Sequence, residues 1–353
     1  MRTQMIRTAA TTAAAASVFA IGTTVSPSAS AAAPTTPTAP PVSTPVATTL
    51  AAATAPTTVA FSSVQRLVQS TGNLYWTTNV QLGHGLWEAR VHRTGKTSLP
   101  GSETVIFRTR HLGTTSIGAL TYALVGGDWY GFTVLNQDGH SRIVRFPLAG
   151  GSAMTRASGL PYIGVNRDLH TDGVHLYWHD LHGIRKMPVL GFSGPSTIYP
   201  ASLVNDTSVA NGKLYFARGT SVYRMSTDGT ARQHVATGAS TVTSVAARYT
   251  NGIHSVAWTQ SNGAVRKTTH VPNAWPITRT LSGTTAGSSA RSVADDGVRV
   301  LWVSDGSAVD TLQARKPGGT LMTLQRQARL GDVTSDGYAA HWAGTYSVWR
   351  GIH

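Results

Sequence analysis

Residues 168–186, DLHTDGVHLYWHDLHGIRK, gather four histidines (His170, His175, His179, His182) and three aspartates (Asp168, Asp172, Asp180). Neutral imidazole and carboxylate are ligands for zinc and other divalent transition ions, and a histidine beside an aspartate suits general-base work. Spacing limits what this stretch can do alone. On a strand, His175 and His179 share a face but stand roughly 13 Å apart at about 3.3 Å per residue, too far to hold one ion as neighbours. His170 precedes an Asp-Gly pair, so a chain reversal puts it at the opposite end of the element from His182.

Other reactive groups are sparse. The chain has no cysteine, which excludes a disulfide framework and a lipoprotein anchor. Glu88 and Glu103 are its only glutamates, and paired carboxylates of glycosidase type have no evident source. Neither a Gly-x-Ser-x-Gly elbow nor a phosphate-binding loop is present.

The first 31 residues read as an export leader, with Arg2 and Arg7 before an Ala-rich apolar run and small residues at Ala29-Ser30-Ala31. Cleavage is expected after Ala31, with Ala33 the alternative. Residues 32–56 are rich in Pro, Thr and Ala and carry no charge. Such a segment buries too little to offset its ordering entropy and reads as a disordered spacer, open to O-glycosylation. Residues 57–353 remain for one large domain. No other run is long and apolar enough to span a membrane. Basic residues number 29 against 15 acidic ones, a formal charge of +14 that favours anionic surfaces. The excess of Arg over Lys, with the Ala, Thr and Gly bias, is of actinobacterial type.

The histidine-rich stretch is one copy of a repeat. TGNLYWTTN (71–79), GGDWYGFTV (126–134), DGVHLYWHD (172–180), NGKLYFARG (211–219), NGIHSVAWTQ (251–260), DGVRVLWVSD (296–305) and DGYAAHWAGT (336–345) align. The aromatic column runs Trp76, Gly131 (a lapse), Trp178, Phe216, Trp258, Trp302, Trp342. Asp-Gly and Asn-Gly supply positive φ for tight hairpins, and the apolar runs suit strands covered on both faces. A second column follows each run and carries Arg145, Arg185, Arg224, Arg266, Arg315 and Arg350, with Arg90 or Arg93 in the first copy. An arginine at the same place in every copy is expected to brace strands or line the circumference. A period near 44 residues with about four short strands predicts an all-β fold, a seven-bladed β-propeller. Six blades remain open if the 55-residue first interval hides an irregularity. The last copy lacks a fourth strand, so Thr57–Phe61 is expected to complete the last blade and remove the free edge.

On its DG-x-x-LYW core (Asp172, Gly173, Leu176, Tyr177, Trp178) and the Ile-x-Arg pattern that follows, the chain resembles secreted bacterial propellers of the YWTD, TolB-like and NHL kind. No copy keeps a full YWTD. The resemblance implies architecture, and by analogy a ligand face formed by the loops joining strands two to three and four to one. There, three consecutive copies place His84, then Asp138 and His140, then His179, Asp180 and His182 on one rim. A divalent metal could join these residues, although no cofactor is required. Sugar-lactonase propellers hold a metal with carboxylates and amides, and Asn166, Asp168 and Asp332 are the scattered inner-strand candidates here.

The reading is an exported, monomeric, non-catalytic binding propeller, extracellular or associated with the cell wall. It would recognise a glycan, an acidic wall polymer or a protein through its loop face. Nucleic acid is disfavoured. The alternative is a small-molecule lyase or hydrolase, streptogramin-lyase-like, working through the rim histidines.

Overall fold

The protein is seen as a computed structural model that describes residues 57–60, 64–113, 115–164, 169–191, 193–283, 289–316, 318–344 and 347–352. The leader, the spacer, Phe61, Asn166 and Asp168 lie outside the described residues. Those that are described form strands and turns, arranged as seven four-stranded antiparallel sheets. The seven-bladed propeller expected from the repeat is the fold.

Blade 1 comprises Arg66–Gln69, Asn73–Gly83, Leu86–Gly95 and Thr104–Leu112; blade 2, Thr115–Val125, Asp128–Gln137, His140–Pro147 and Met154–Pro161. Blade 3 comprises His170–Thr171, His175–Asp180, Gly183–Pro188 and Ser196–Tyr199; blade 4, Val204–Ala210, Lys213–Arg218, Ser221–Ser226 and Gln233–Thr237. Blade 5 holds Val242–Thr250, Ile253–Gln260, Val265–His270 and Ile277–Ser282, and blade 6 holds Ser289–Asp295, Val300–Asp305, Asp310–Arg315 and Leu321–Gln327. Blade 7 has Val333–Ser335, Ala339–Ala343 and Val348–Ile352 from the C-terminal end, and Thr57–Ala60 as its outer strand, paired with Val348–Ile352. First strands touch their neighbours around the whole cycle, so the ring is closed. No helix of the described residues is long and apolar enough to cross a membrane.

The aromatic column is the inter-blade wedge. Trp76, Trp178, Trp258, Trp302 and Trp342 are fully buried. Each packs toward the preceding blade: Trp178 with Val125 and Phe132 of blade 2, Trp258 with Tyr215 of blade 4, Trp302 with Ala257 of blade 5, Trp342 with Leu301 of blade 6, and Trp76 with Val348 of blade 7. Phe216 does the same against Tyr177. Blade 2, whose column residue is Gly131, resolves its lapse from the next strand. Phe146 stands opposite Gly131, and a Cβ at 131 would run into its ring. That ring stacks on Phe107 of blade 1, with centroids 5.1 Å apart.

The Asp-Gly turns do more than admit positive φ. In blade 3, Asp172 Oδ1 accepts the Val174 and His175 amides at 2.9 and 2.7 Å, and Gly173 sits at φ +89°. Asp296 and Asp336 receive the corresponding pairs of amides in blades 6 and 7. Each carboxylate thus satisfies turn donors that the hairpin leaves unpaired.

The arginine column is corrected by the register. Arg185 and Arg266 stand opposite the wedges Trp178 and Trp258. Arg93, Arg224 and Arg350 stand opposite Tyr75, Tyr215 and His341, one residue earlier, and Arg145 stands opposite Phe132, one residue later. A one-residue offset turns a side chain to the other face of the sheet, so these arginines form no single stripe. Of the column, Arg93 and Arg315 bridge blades through the backbone carbonyls of Leu148 and Leu281, and Arg299 and Arg248, outside the column, do the same to Gly337 and Asp295.

Gly131→Ala should lower stability by about 1–3 kcal/mol through overpacking against Phe146, read by thermal unfolding. Phe146→Ala in the same chain should recover part of the Gly131→Ala loss in a double-mutant cycle. Removal of residues 1–60 should lower the melting temperature and produce concentration-dependent self-association, because it bares the edge of Val348–Ile352.

Candidate functional site

The rim constellation separates in three dimensions. His84 and Gly85 form the two-residue turn of a long hairpin in blade 1, at φ +49° and +74°, and the His84 side chain is exposed. Asp138 and Gly139 make the equivalent turn in blade 2, followed by exposed His140 at the head of the third strand. Blade 3 differs. His179 and Asp180 belong to the second strand rather than a loop, and both are buried. Asp180 accepts the His182 amide at 2.9 Å and Trp178 Nε1 at 3.3 Å, with Arg185 at 3.7 Å, so its carboxylate is committed to the hairpin. Exposed His182 lies in the two-residue turn. Among the described residues no group of three or more His, Asp or Glu side chains is placed to hold a metal ion.

The axis of the ring is polar; of its residues only Asp332 stood out in the sequence, as a scattered inner-strand candidate. Arg66 approaches Asp332 at 3.6 Å, while Asp332 also accepts the Leu67 amide at 3.0 Å and the Ser292 hydroxyl at 2.7 Å. Asp206 accepts the Val245 amide at 2.8 Å, and Ser292 accepts the Val333 amide at 3.2 Å. Each bond joins one blade's first strand to the next. Burial pushes the Asp206 carboxyl up to about 6, with Arg66 and the amide bonds pulling against it. Burial, aided by Arg66, pushes His170 down to about 4. These groups satisfy inner-strand donors and are structural first.

An opening larger than the one at the axis lies at the end of the ring bearing the one-to-two turns and three-to-four connections, opposite the histidine turns. It is a cleft of about 720 Å³ between blades 1 and 2. Its walls are the turn Ser70–Asn73, the segment Gly127–Tyr130 and residues Pro147–Ala149, and its floor is Tyr75 and Tyr122. Three rings climb from core to solvent. Buried Tyr75 lies 6.0 Å from Tyr122, centroid to centroid, and Tyr122 lies 5.6 Å from Trp129, which is 51% exposed. Tyr122 donates its hydroxyl to Gln69 O at 2.7 Å, fixing the middle ring. Arg93 donates to Leu148 O at 3.1 Å, tying the walls together. The positive-φ pair Gly126–Gly127 reverses the chain and sets Trp129 opposite Leu124, itself half exposed. Asn73, Ser70, Thr71 and Asp128 bring polar groups to the same mouth. An apolar stair edged by polar groups can stack the C–H face of a ring-shaped ligand and bond its hydroxyls. The signal in the sequence was the lapse itself: GGDWYGF carries its tryptophan two places before the column.

No family model matches the chain, and no curated protein matches it. Solved structures do. A chain of a nidogen/laminin complex is 16% identical with a TM-score of 0.51, over 74% of this chain and 98% of that one. YCF48 bound to the D1 peptide is 9% identical with a TM-score of 0.58, over 84% and 94%. A prolyl endopeptidase is 14% identical with a TM-score of 0.55, over 80% of this chain, which spans only 46% of that enzyme. These likenesses are of fold alone and agree with the resemblance to YWTD and TolB-like propellers.

Burial holds His92, His170, His270 and His341 at about 4, below their unfolded value, so they are neutral in the folded chain and bind protons on unfolding. Their contribution is fully present above about pH 6.5 and is lost as the pH falls toward 4. Asp206, raised to about 6, opposes this by adding stability as the pH falls through 6. Four groups against one predict a falling melting temperature between pH 6.5 and 4.5. His341→Gln should shrink that drop by about 2–4 °C, measured by calorimetry across the range.

Proposed function

We propose that the chain is an exported, non-catalytic binding propeller that works as a monomer and holds an extracellular or wall glycan in the cleft between blades 1 and 2. The observation that carries this reading is the stair Tyr75, Tyr122, Trp129, with the outer ring and Leu124 left in solvent beside Asn73, Ser70 and Asp128. Exposed apolar side chains grouped in a polar-rimmed cleft mark binding surfaces. A saccharide fits this chemistry because its axial C–H groups are apolar and its periphery is hydroxyl. Export is supported by the leader and spacer read from residues 1–56. The cleft contains the carboxylate of Asp128 but no histidine, which suits holding better than proton transfer.

Titration of soluble wall oligosaccharides into the chain, followed by calorimetry and Trp fluorescence, tests this. Trp129→Ala should weaken binding by on the order of ten-fold without changing the melting temperature, since half of that side chain is already in water. His140→Ala and a chelator should leave affinity unchanged. Unchanged binding in Trp129→Ala would remove the cleft from the account. Turnover of the oligosaccharide abolished by chelator or by His140→Ala would replace binding with catalysis.

A further inference from the structure

Blade 1 carries a second surface that neither the cleft nor the scaffold explains. Its third and fourth strands pair in the register Glu88 opposite Arg110 and Arg90 opposite Arg108. Residues directly opposed across an antiparallel pair point to the same face, and so do residues two apart on one strand. One face of these two outer strands therefore carries three guanidinium groups and one carboxylate. Glu88 is already divided: Oε1 takes Arg90 Nε at 2.5 Å and Oε2 takes Arg110 Nε at 2.7 Å. Its side chain is 1% exposed, whereas that of Arg110 is 63% exposed. Arg108 is exposed, and its side chain makes no hydrogen bond or ion pair among the described residues.

The Arg90–Arg108 pairing is unfavourable by itself, because like charges directly opposed across strands destabilise a sheet. Most other arginines bridging this ring end on a carbonyl or a carboxylate of the next blade, as Arg299 and Arg291 do. Here one carboxylate, Glu88, serves Arg90 and Arg110, and among the described residues no partner takes up the charge of the Arg108 side chain. An oxyanion between Arg90 and Arg108 would relieve the repulsion through charge-assisted hydrogen bonds, and Arg110 lies one strand repeat further along.

We propose that the Arg90, Arg108 and Arg110 face of blade 1 is a binding site for an anionic polymer whose charges are phosphodiesters linked by short polyols. Arg108 and Arg110 are roughly 7 Å apart along one strand, a spacing that suits successive phosphates of a phosphodiester chain. One observation favours a polyol phosphate over nucleic acid. Non-specific binding of single-stranded nucleic acid uses aromatic platforms among the basic groups. On these strands the opposed pair Trp87 and His111, together with buried Phe107, alternates onto the other face, toward blade 2. The site is separate from the cleft and does not rest on its occupant.

The test titrates poly(glycerol phosphate) into the full chain at low and high salt, with duplex DNA and inorganic phosphate as parallel probes. Wild type should bind the polyol phosphate with an affinity that falls steeply with salt. Arg108→Glu should weaken binding by on the order of ten-fold or more and flatten the salt slope, because it turns one contact repulsive. The same substitution should hold or raise the melting temperature, since it places an opposite charge across from Arg90. Arg279→Glu changes an equally exposed outer-strand arginine of blade 5 and should leave binding intact. Trp129→Ala should leave polymer binding intact as well, which separates this site from the cleft. Equal losses in Arg108→Glu and Arg279→Glu would reduce the attraction to diffuse charge and overturn the site. So would tighter binding of duplex DNA than of the polyol phosphate, or an affinity for inorganic phosphate as high as for the polymer.

Discussion

The fold depends on one repeated contact, an aromatic ring, from the second strand in six of the seven blades, driven against the sheet before it. The inner strands of each blade are apolar on both faces and need a neighbouring sheet on each side to keep them from water. Each wedge removes a large ring from water and makes one blade's face the next blade's floor. Burying such a side chain fully contributes roughly 1.5–3 kcal/mol, and the contact recurs around the cycle. Blade 2 shows that the requirement is for the ring rather than its sequence position. With glycine at 131, the neighbouring strand supplies Phe146, and the seam with blade 1 is closed by stacking on Phe107.

Polar residues serve the same ring in a different way. Inner strands expose backbone donors to the axis, and buried donors need acceptors. Asp206, Ser292 and Asp332 each accept an amide from the following blade, so the hydrogen bonding of one sheet is completed by the next. Arginine contributes by reaching across seams to carbonyl oxygens. Much of the chain's positive charge is thereby held in place without being cancelled, and the whole ring stays basic. On blade 1 three arginines crowd one face, where a single carboxylate, Glu88, serves two of them.

The sequence made the architecture legible because the period acts on every copy. Asp-Gly pairs, the aromatic column and the missing last strand each have a local cause, and the strand Thr57–Ala60 closes blade 7 as that deficit required. Facing was much harder to read. The arginine column dissolves because hairpin lengths vary by a residue between copies, and a strand's parity cannot be seen without its partner. His179 and Asp180 read as loop residues because a short turn and a strand end have similar composition. The cleft went unread because it is made where the repeat fails: Trp129 departs from the column, and its neighbours Tyr75 and Tyr122 come from different blades. Function in a ring of equivalent units resides in the unit that deviates, and alignment of the copies conceals that deviation by treating it as noise.

Closure by Thr57–Ala60 also sets the order of events in assembly. The strand that seals the ring is the first to emerge from any N-to-C process, yet its partner Val348–Ile352 is the last. The loop between them is nearly the whole domain, and its closing entropy must be met before that contact is rewarded. Six blades can build on their predecessors as they appear, while the seventh waits. Through that interval the chain holds two unsatisfied strand edges, one at each end, each a template for pairing with another molecule. Until that contact forms, pairing of these edges with another molecule competes with closure of the ring.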